Sequence, residues 1–399
     1  MLKRIDVKHL RVGMYLHELC GKYMDHPFWR SKFMLEDKHA IEQLLSSPIK
    51  EVVIDTEKGL DVEVIEPRKP APAPPPPPKR VVVHSSLKEE MEHAANVCNK
   101  AKHAVTSMFN ELRMGSALDA NNAVPIVEEI SNSVMRNPGA LISLARLKTK
   151  DDYTYMHSVA VCALMVSLSK QLGLDEATTH KAGMAGLLHD AGKMMIPSEI
   201  LDKPGKLTNA EFKIIQGHPM AGYKLLSEGT GVDETSLDVV RHHHEKVDGS
   251  GYPDGLKNGE ISMFAKMSAV CDVYDAITSN RPYKTGWDPA ESLKRMAEWS
   301  KGHFDDHVFQ AFVKSIGIYP IGSLVRMQSG RIGVVVGQHE KSLLAPMVRV
   351  FFSTKSNLRI PPEMIDLSAS GLHDKILATE DSTKWSFPDL DDLWQGADI

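Results

Sequence analysis

Apolar positions along this chain change period several times, and each change marks a boundary. Residues 1–65 are mixed: Leu35 to Leu45 has helical polarity, and Glu51-Val-Val-Ile-Asp55 has the β-branched density of a short strand. The run EPRKPAPAPPPPPKR, residues 66–80, cannot enter a helix or sheet interior and predicts an extended polyproline-II spacer, with the linker ending near residue 85. From Ser86 to about Met114 the apolar residues Leu87, Met91, Ala94, Cys98, Ala101, Val105, Met108 and Leu112 alternate at spacings of four and three. That is the spacing of a coiled-coil seam. It reads either as a homodimer contact between two copies or as a face laid on the chain's own next domain. The small Ala and Cys residues weaken a stand-alone coil. We assign 86–119 to this helix and its exit.

Residues 120–316 alternate helical patterns with short Gly/Pro breaks and carry almost no strand signal. After Gly317 the character changes. Ile321 to Phe352 is rich in Val and Ile, with a Ser329-Gly330 turn between apolar runs, so a small β module over 317–370 is expected. An acidic tail, 371–399, carries Trp385 and Trp394. The expected fold class is mainly α: a large helical domain, a small mixed α/β N-terminal domain and a small C-terminal β module.

Composition narrows the function classes. A chain of 399 residues implies two or three domains, and 42% hydrophobic with 25% charged residues is enough to build a core. The net charge of −5 argues against a general DNA or RNA binder. It leaves room for a small nucleotide, because bound cations can supply positive charge locally. Cys20, Cys98, Cys162 and Cys271 form no C-x-x-C pair, which suits reduced thiols in the cytoplasm. No stretch approaches the roughly 18–20 apolar residues that span a bilayer, and no apolar run follows the basic N-terminus. A cytoplasmic protein with no membrane contact is expected.

The 18 histidines then decide where chemistry sits. His157 lines up with Val161, Leu164 and Leu168 on one helical face. His189 and Asp190 follow directly on Leu187 and Leu188, and burying such a pair is expensive unless its charge is neutralised. His218 precedes a proline. Arg241-His242-His243-His244-Glu245 leads into Lys-Val-Asp-Gly-Ser-Gly-Tyr-Pro, and Asp272 shares a face with Ile261, Phe264, Ala265 and Ser268. Nitrogen and oxygen ligands without thiolate suit Fe, Mn, Ni or Zn. Two such ions can activate a water and stabilise the attacking and leaving oxygens of a phosphodiester. The sequence contains neither a nucleophile elbow nor a P-loop.

Three segments, HDAGK (189–193), HHEKVDGSGYP (243–253) and DVYDAITSNRPYK (272–284), closely resemble the HD-GYP family of HD-type metal-dependent phosphohydrolases. The resemblance covers about residues 150–310, and LRVGMYL (10–16) looks like a small domain often found ahead of HD-GYP modules. It implies a cyclic di-GMP phosphodiesterase working in bacterial second-messenger signalling through two divalent ions, iron or manganese first, nickel or zinc next. It also implies that His157, His189, Asp190 and Asp272 form one metal set, with Asp190 bridging, and that His218, His243 and His244 hold the second metal. Lys193 takes the family position near the bridging phosphate and helps orient the water. Tyr252, Arg281 and Lys284 take positions that face substrate, and the GYP loop is a surface for protein partners. His242 is left out of the ligand set, because one helix cannot aim three consecutive residues at one point.

One departure bears on the product. Some family members carry a glutamate one turn before the first histidine, which helps to hold a third metal; here that residue is Tyr153, with Asp151 and Asp152 off the helical position. Two metals are therefore expected, with a linear dinucleotide (pGpG) as the main product and GMP as a further one. The alternatives are a phosphodiesterase for 3',3'-cyclic GMP-AMP, a non-catalytic signalling module that binds a cyclic dinucleotide or a partner, and an HD enzyme acting on another phosphate ester. The GYP and RPYK segments speak against the last of these.

Overall fold

The computed structural model describes residues 1–20, 32–47, 49–62, 87–146, 153–280, 286–339, 342–371, 374–385 and 387–395. The proline-rich linker, 66–85, lies outside them. The chain divides into two compact units, Met1–Arg80 and Val81–Ile399.

The first unit is a four-stranded antiparallel sheet with one helix. Its strands are β1 (Leu2–Asp6), β2 (Tyr15–Cys20), β3 (Phe33–Met34) and β4 (Glu51–Asp55), in the order β1-β4-β2-β3. The helix α1 (Lys38–Leu45) starts where Asp37 accepts the Ala40 N–H at 2.9 Å. Val52 and Ile54 of the central strand pack with Leu16, Leu35 and Leu44.

The second unit opens with α2 (Leu87–Arg113), followed by α3 (Val124–Arg136), α4 (Pro138–Arg146), α5 (Tyr153–Gln171) and α6 (Glu176–Leu188). Then come α7 (Ser198–Leu201), α8 (Asn209–Ile215), α9 (His218–Ser227), α10 (Glu234–His242), α11 (Met263–Thr278), α12 (Pro289–His303) and α13 (Asp306–Ile316). The α2 stripe is buried: Met91, Ala94, Cys98, Ala101, Val105 and Leu112 sit in one cluster with residues of α3, α4 and α5. Of the two readings of the stripe, the face laid on the chain's own next domain is the one the structure supports. Small residues in the stripe let neighbouring helices of the same chain come close, and the apolar face is used up internally.

Helix α5 is apolar all round because it is the centre of the bundle. Val159, Ala163 and Val166 belong to the core shared with α2 and α3, whereas Val161, Leu164 and Leu168 pack with α11 and α13. The central position of α5 fixes where His157 points.

The C-terminal strands β5 (Leu324–Met327), β6 (Arg331–His339), β7 (Ser342–Ser353), β8 (Leu358–Asp366) and β9 (Ile376–Thr379) form an antiparallel sheet ordered β8-β7-β6-β5-β9. The expected turn at Ser329-Gly330 joins β5 to β6. The expected acidic tail does more than trail off. It supplies the edge strand β9 and the short helix α14 (Leu390–Gln395), whose Trp394 is buried in the helical core. Asp288 ties sheet to bundle by accepting N–H groups from Ala290 and Glu291 of α12 and, on its other oxygen, from Leu324 of β5. The architecture is the mainly helical one expected, with a small strand-containing unit before it and a sheet after it. Among the described residues no helix is long and apolar enough to cross a membrane.

Candidate metal centre

Five chain segments deliver side chains to one buried pocket, and each does so at the end of an element or on an inward face. His189 is the C-cap of α6, so His189 and Asp190 leave the helix together, into a 3-10 turn over Ala191–Met195. That turn lies on the start of α9. A Cβ at Gly192 would fall 2.0 Å from the His218 carbonyl oxygen, so only glycine lets the two segments meet. Pro219 sits in the first turn of α9, where its missing N–H costs nothing. Helix α10 ends at His242, and the chain turns there, which lets the consecutive His243 and His244 face the same pocket. His242 points elsewhere: its ring contacts Asp238 at 2.7 Å and Asp254 at 3.0 Å. Ser262 caps α11, which carries Asp272 inward from the opposite side.

Asp190 stands at the middle. Its Oδ2 faces His157 Nε2 at 3.5 Å and His189 Nε2 at 3.4 Å, while its Oδ1 faces His218 Nε2 at 3.3 Å and His243 Nε2 at 3.8 Å. Asp272 Oδ1 lies 3.0 Å from His157 Nε2 and 4.0 Å from His189 Nε2, and its Oδ2 is 3.8 Å from His244 Nδ1. Ligand atoms therefore gather in three overlapping groups: His157, His189 and Asp272; His189, Asp190 and His243; and His218, His243 and His244.

The outer ring nitrogens fix how the imidazoles present themselves. Nδ1 of His189 is 2.8 Å from the Gly186 carbonyl, Nδ1 of His218 is 2.7 Å from that of Ile215, and Nδ1 of His243 is 3.1 Å from those of Val239 and Val240. A carbonyl can only accept, so each Nδ1 carries the proton and each neutral ring offers its Nε2 lone pair to the pocket. His218 Nε2 and His243 Nε2 then face each other at 3.2 Å, lone pair against lone pair. His189 Nε2 and Asp190 Oδ1 are buried and make no hydrogen bond. Such an arrangement is costly for the chain alone. It fits a set of donors shaped for cations.

Charge states agree for most of the set; at His157 burial would lower the ring, but Asp272 and Asp275 outweigh it and raise it above the usual histidine range. Burial, with neighbouring imidazoles, holds His243 well below the usual histidine range, and burial pushes His244 down to about 3, so both rings stay neutral. Burial alone would raise the Asp190 carboxyl, but Lys193 and His189 overturn that and hold it well below the usual carboxylate range. Asp272 is depressed in the same way, mainly through His157.

Lys193 Nζ is 2.5 Å from Asp190 Oδ2. Tyr252 lies over His244, ring centroids 4.8 Å apart. Arg281 and Lys284 lie outside the described residues. Two residues that the sequence reading did not single out also act on the pocket. Asp275 Oδ2 grips His157 Nδ1 at 2.6 Å, while the Ser279 hydroxyl donates to its Oδ1 at 3.1 Å. Glu245, 2% exposed, accepts backbone N–H groups from Asp254, Gly255 and Leu256 at 2.7, 3.0 and 3.0 Å, which closes the loop that carries Tyr252. Asp275 had a signal, since it lies one helical turn after Asp272; Glu245 reads as the polar end of a histidine run.

Comparison with known proteins places this pocket in context. An HD domain matches residues 131–308, and a domain of unknown function matches residues 2–123, running through the proline-rich stretch into α2 and beyond. The chain is 52% identical to a cyclic di-GMP phosphodiesterase of Pseudomonas aeruginosa over 99% of its own length and 96% of that protein. It is 41% identical to a cyclic di-GMP phosphodiesterase response regulator of Xanthomonas campestris over 37% of this chain and 39% of the relative. A 3'3'-cGAMP-specific phosphodiesterase of Vibrio cholerae is 35% identical over 44% of this chain and 41% of its own.

Proposed function

The chain belongs to the HD-GYP family, and from that premise we propose that it hydrolyses cyclic di-GMP in the cytoplasm, opening one phosphodiester to leave the linear dinucleotide. The observation that carries the reading is the placement of Asp190, with one oxygen toward His157 and His189 and the other toward His218 and His243. A carboxylate so placed suits a bridge between two cations. His157, His189 and Asp272 would hold one ion, and His218, His243 and His244 the other, with iron or manganese first by donor type. Bound there, the two ions supply a lowered water pKa and positive charge against the phosphate.

The chain's own residues do the rest. Lys193 fixes the Asp190 carboxylate and keeps an ammonium beside the reacting phosphate. Asp275 holds the His157 ring so that its Nε2 faces inward. Tyr252, on a loop closed by Glu245, offers an aromatic face beside His244 for a base. Arg281 and Lys284 are assigned to the substrate's phosphates or bases from the family resemblance. Tyr153 stacks on the His157 ring at 5.9 Å, so the position that would carry a third carboxylate ligand carries a phenol instead. This supports two metals and a linear product.

The test is turnover of cyclic di-GMP by protein purified anaerobically and loaded with Mn or Fe(II), with products read by chromatography. Linear dinucleotide that vanishes in Asp190→Ala is the expected result. Bound metal without turnover would overturn the reading, and turnover of 3',3'-cyclic GMP-AMP alone would reassign the substrate.

A further inference from the structure

A second concavity opens where the helical bundle meets the C-terminal sheet, lined by residues of α5 and α11 beside those that reach the metal pocket. Its volume is ≈ 810 Å³, and α4, α5, α11 and α13 form one wall while β6, β7 and α14 form the other. That volume falls in the range of small-molecule sites, about 300–1,000 Å³. Four cations line it: Arg146, Lys170, Lys314 and Arg349. Among the described residues none of the four is paired with a carboxylate. Arg146 donates to the Ile321 carbonyl at 3.2 Å and lies over Trp394, Arg349 contacts the Met364 sulfur, and both lysines are exposed. A fifth cation on the wall, Arg136, is held by Glu90.

The only carboxylate among the described lining residues is Asp275, and it is engaged by His157. The cleft is therefore strongly positive, and between its charges the walls are apolar, from Ile142, Leu164 and Met347. Unpaired cations spaced around apolar walls suit a ligand that combines an anion with a flat or apolar body. A bare phosphate would leave most of the cleft unfilled.

We propose that this cleft binds a nucleoside phosphate, and that its occupancy is felt at the metal pocket through Asp275. That residue lines the cleft and also holds the ring of His157, so one side chain belongs to both places. Ala160 and Leu164, one and two turns along α5 from His157, line the cleft as well. The second half of the proposal rests on the hydrolase reading; the first half does not.

The experiment titrates the metal-loaded full-length protein with GTP, and in parallel with inorganic phosphate, by calorimetry. The same titrations are run on Lys170→Glu/Lys314→Glu. Both lysines are exposed and outside the metal pocket, so the double variant keeps the fold and the basal turnover. The expected result is GTP binding to the parent that weakens roughly tenfold or more on reversing two charges. GTP should also change cyclic di-GMP turnover in the parent but not in the variant. Equal GTP affinity in both proteins overturns the site. Phosphate binding as tightly as GTP overturns the nucleotide class. GTP binding that leaves turnover unmoved overturns the coupling through Asp275. A binding difference in protein without any turnover would sustain the site while the hydrolase reading fails, so the two are separable.

Discussion

The helical unit buries titratable groups in several places and treats them in two opposite ways. At the junction with the C-terminal sheet, Asp288 accepts three backbone N–H groups, from Ala290, Glu291 and Leu324. Near it in kind, Glu90 accepts the Ser133 hydroxyl and two N–H groups of Arg136. In the metal pocket the chain withholds such partners. Asp190 Oδ1 and His189 Nε2 are buried without a hydrogen bond, and two imidazole lone pairs face each other. Several serine hydroxyls, His17 Nδ1 and Gln338 Oε1 are also buried unbonded, but among the described residues only here do titratable groups in that state cluster. A buried charge that the chain satisfies holds the fold together; a buried polar set that it leaves open is a receptor for something the chain does not contain.

The largest test of that contrast is His243→Leu. In the pocket it should take cyclic di-GMP turnover below detection and remove the ion held with His218 and His244, read by elemental analysis. In metal-free protein the melting temperature should hold or rise, because an apolar side chain replaces one of two opposed lone pairs. Unfolding of the metal-free variant would mean that the histidines carry structure, and the contrast would collapse. Asp275→Asn comes next. Asn still offers an oxygen to His157 Nδ1 but not its charge, so metal affinity or turnover should fall about 10–100-fold. The metal titration and the kinetics should fall together, with the fold intact by circular dichroism.

The difference between these two positions is also a difference in what the sequence makes legible. The proposed ligands stand out because imidazole and carboxylate on apolar faces, such as His189-Asp190 after Leu187-Leu188, are costly anywhere but in a metal site or a paired interior. Asp275 needed the three-dimensional meeting of α5 with α11, 118 residues apart in sequence, before its role showed. The α2 stripe was visible as a stripe, but spacing cannot say whether the partner face belongs to the same chain. The acidic composition of the C-terminus hid β9 and the burial of Trp394, since composition averages over the few residues that pack.

Glu245→Gln probes a buried charge that the chain does satisfy, but in a loop beside the pocket. The amide keeps the shape and one acceptor, and gives up an acceptor for the Asp254, Gly255 and Leu256 N–H groups. A cost of about 1–3 kcal/mol in stability is expected. KM should rise with little change in kcat, because the loop positions Tyr252 and supplies no metal ligand. A fall in kcat alone would place Glu245 in the chemistry instead.

The smallest effect lies at the junction itself, and it has a pH signature. Burial pushes the Asp288 carboxyl up to about 6 from 3.8, against the pull of its three backbone N–H donors. The folded state therefore binds this proton more tightly than the unfolded chain does. The resulting stability is full below about pH 4 and is lost as pH rises toward 6. Asp288→Asn mimics the protonated form at every pH. Relative to that variant, the parent should lose stability between about pH 4 and 6, by at most about 3 kcal/mol, with turnover at neutral pH unchanged. A difference with the opposite slope would mean that the three backbone donors, with Arg146 a smaller influence beyond them, outweigh burial, and that the carboxylate form holds the junction.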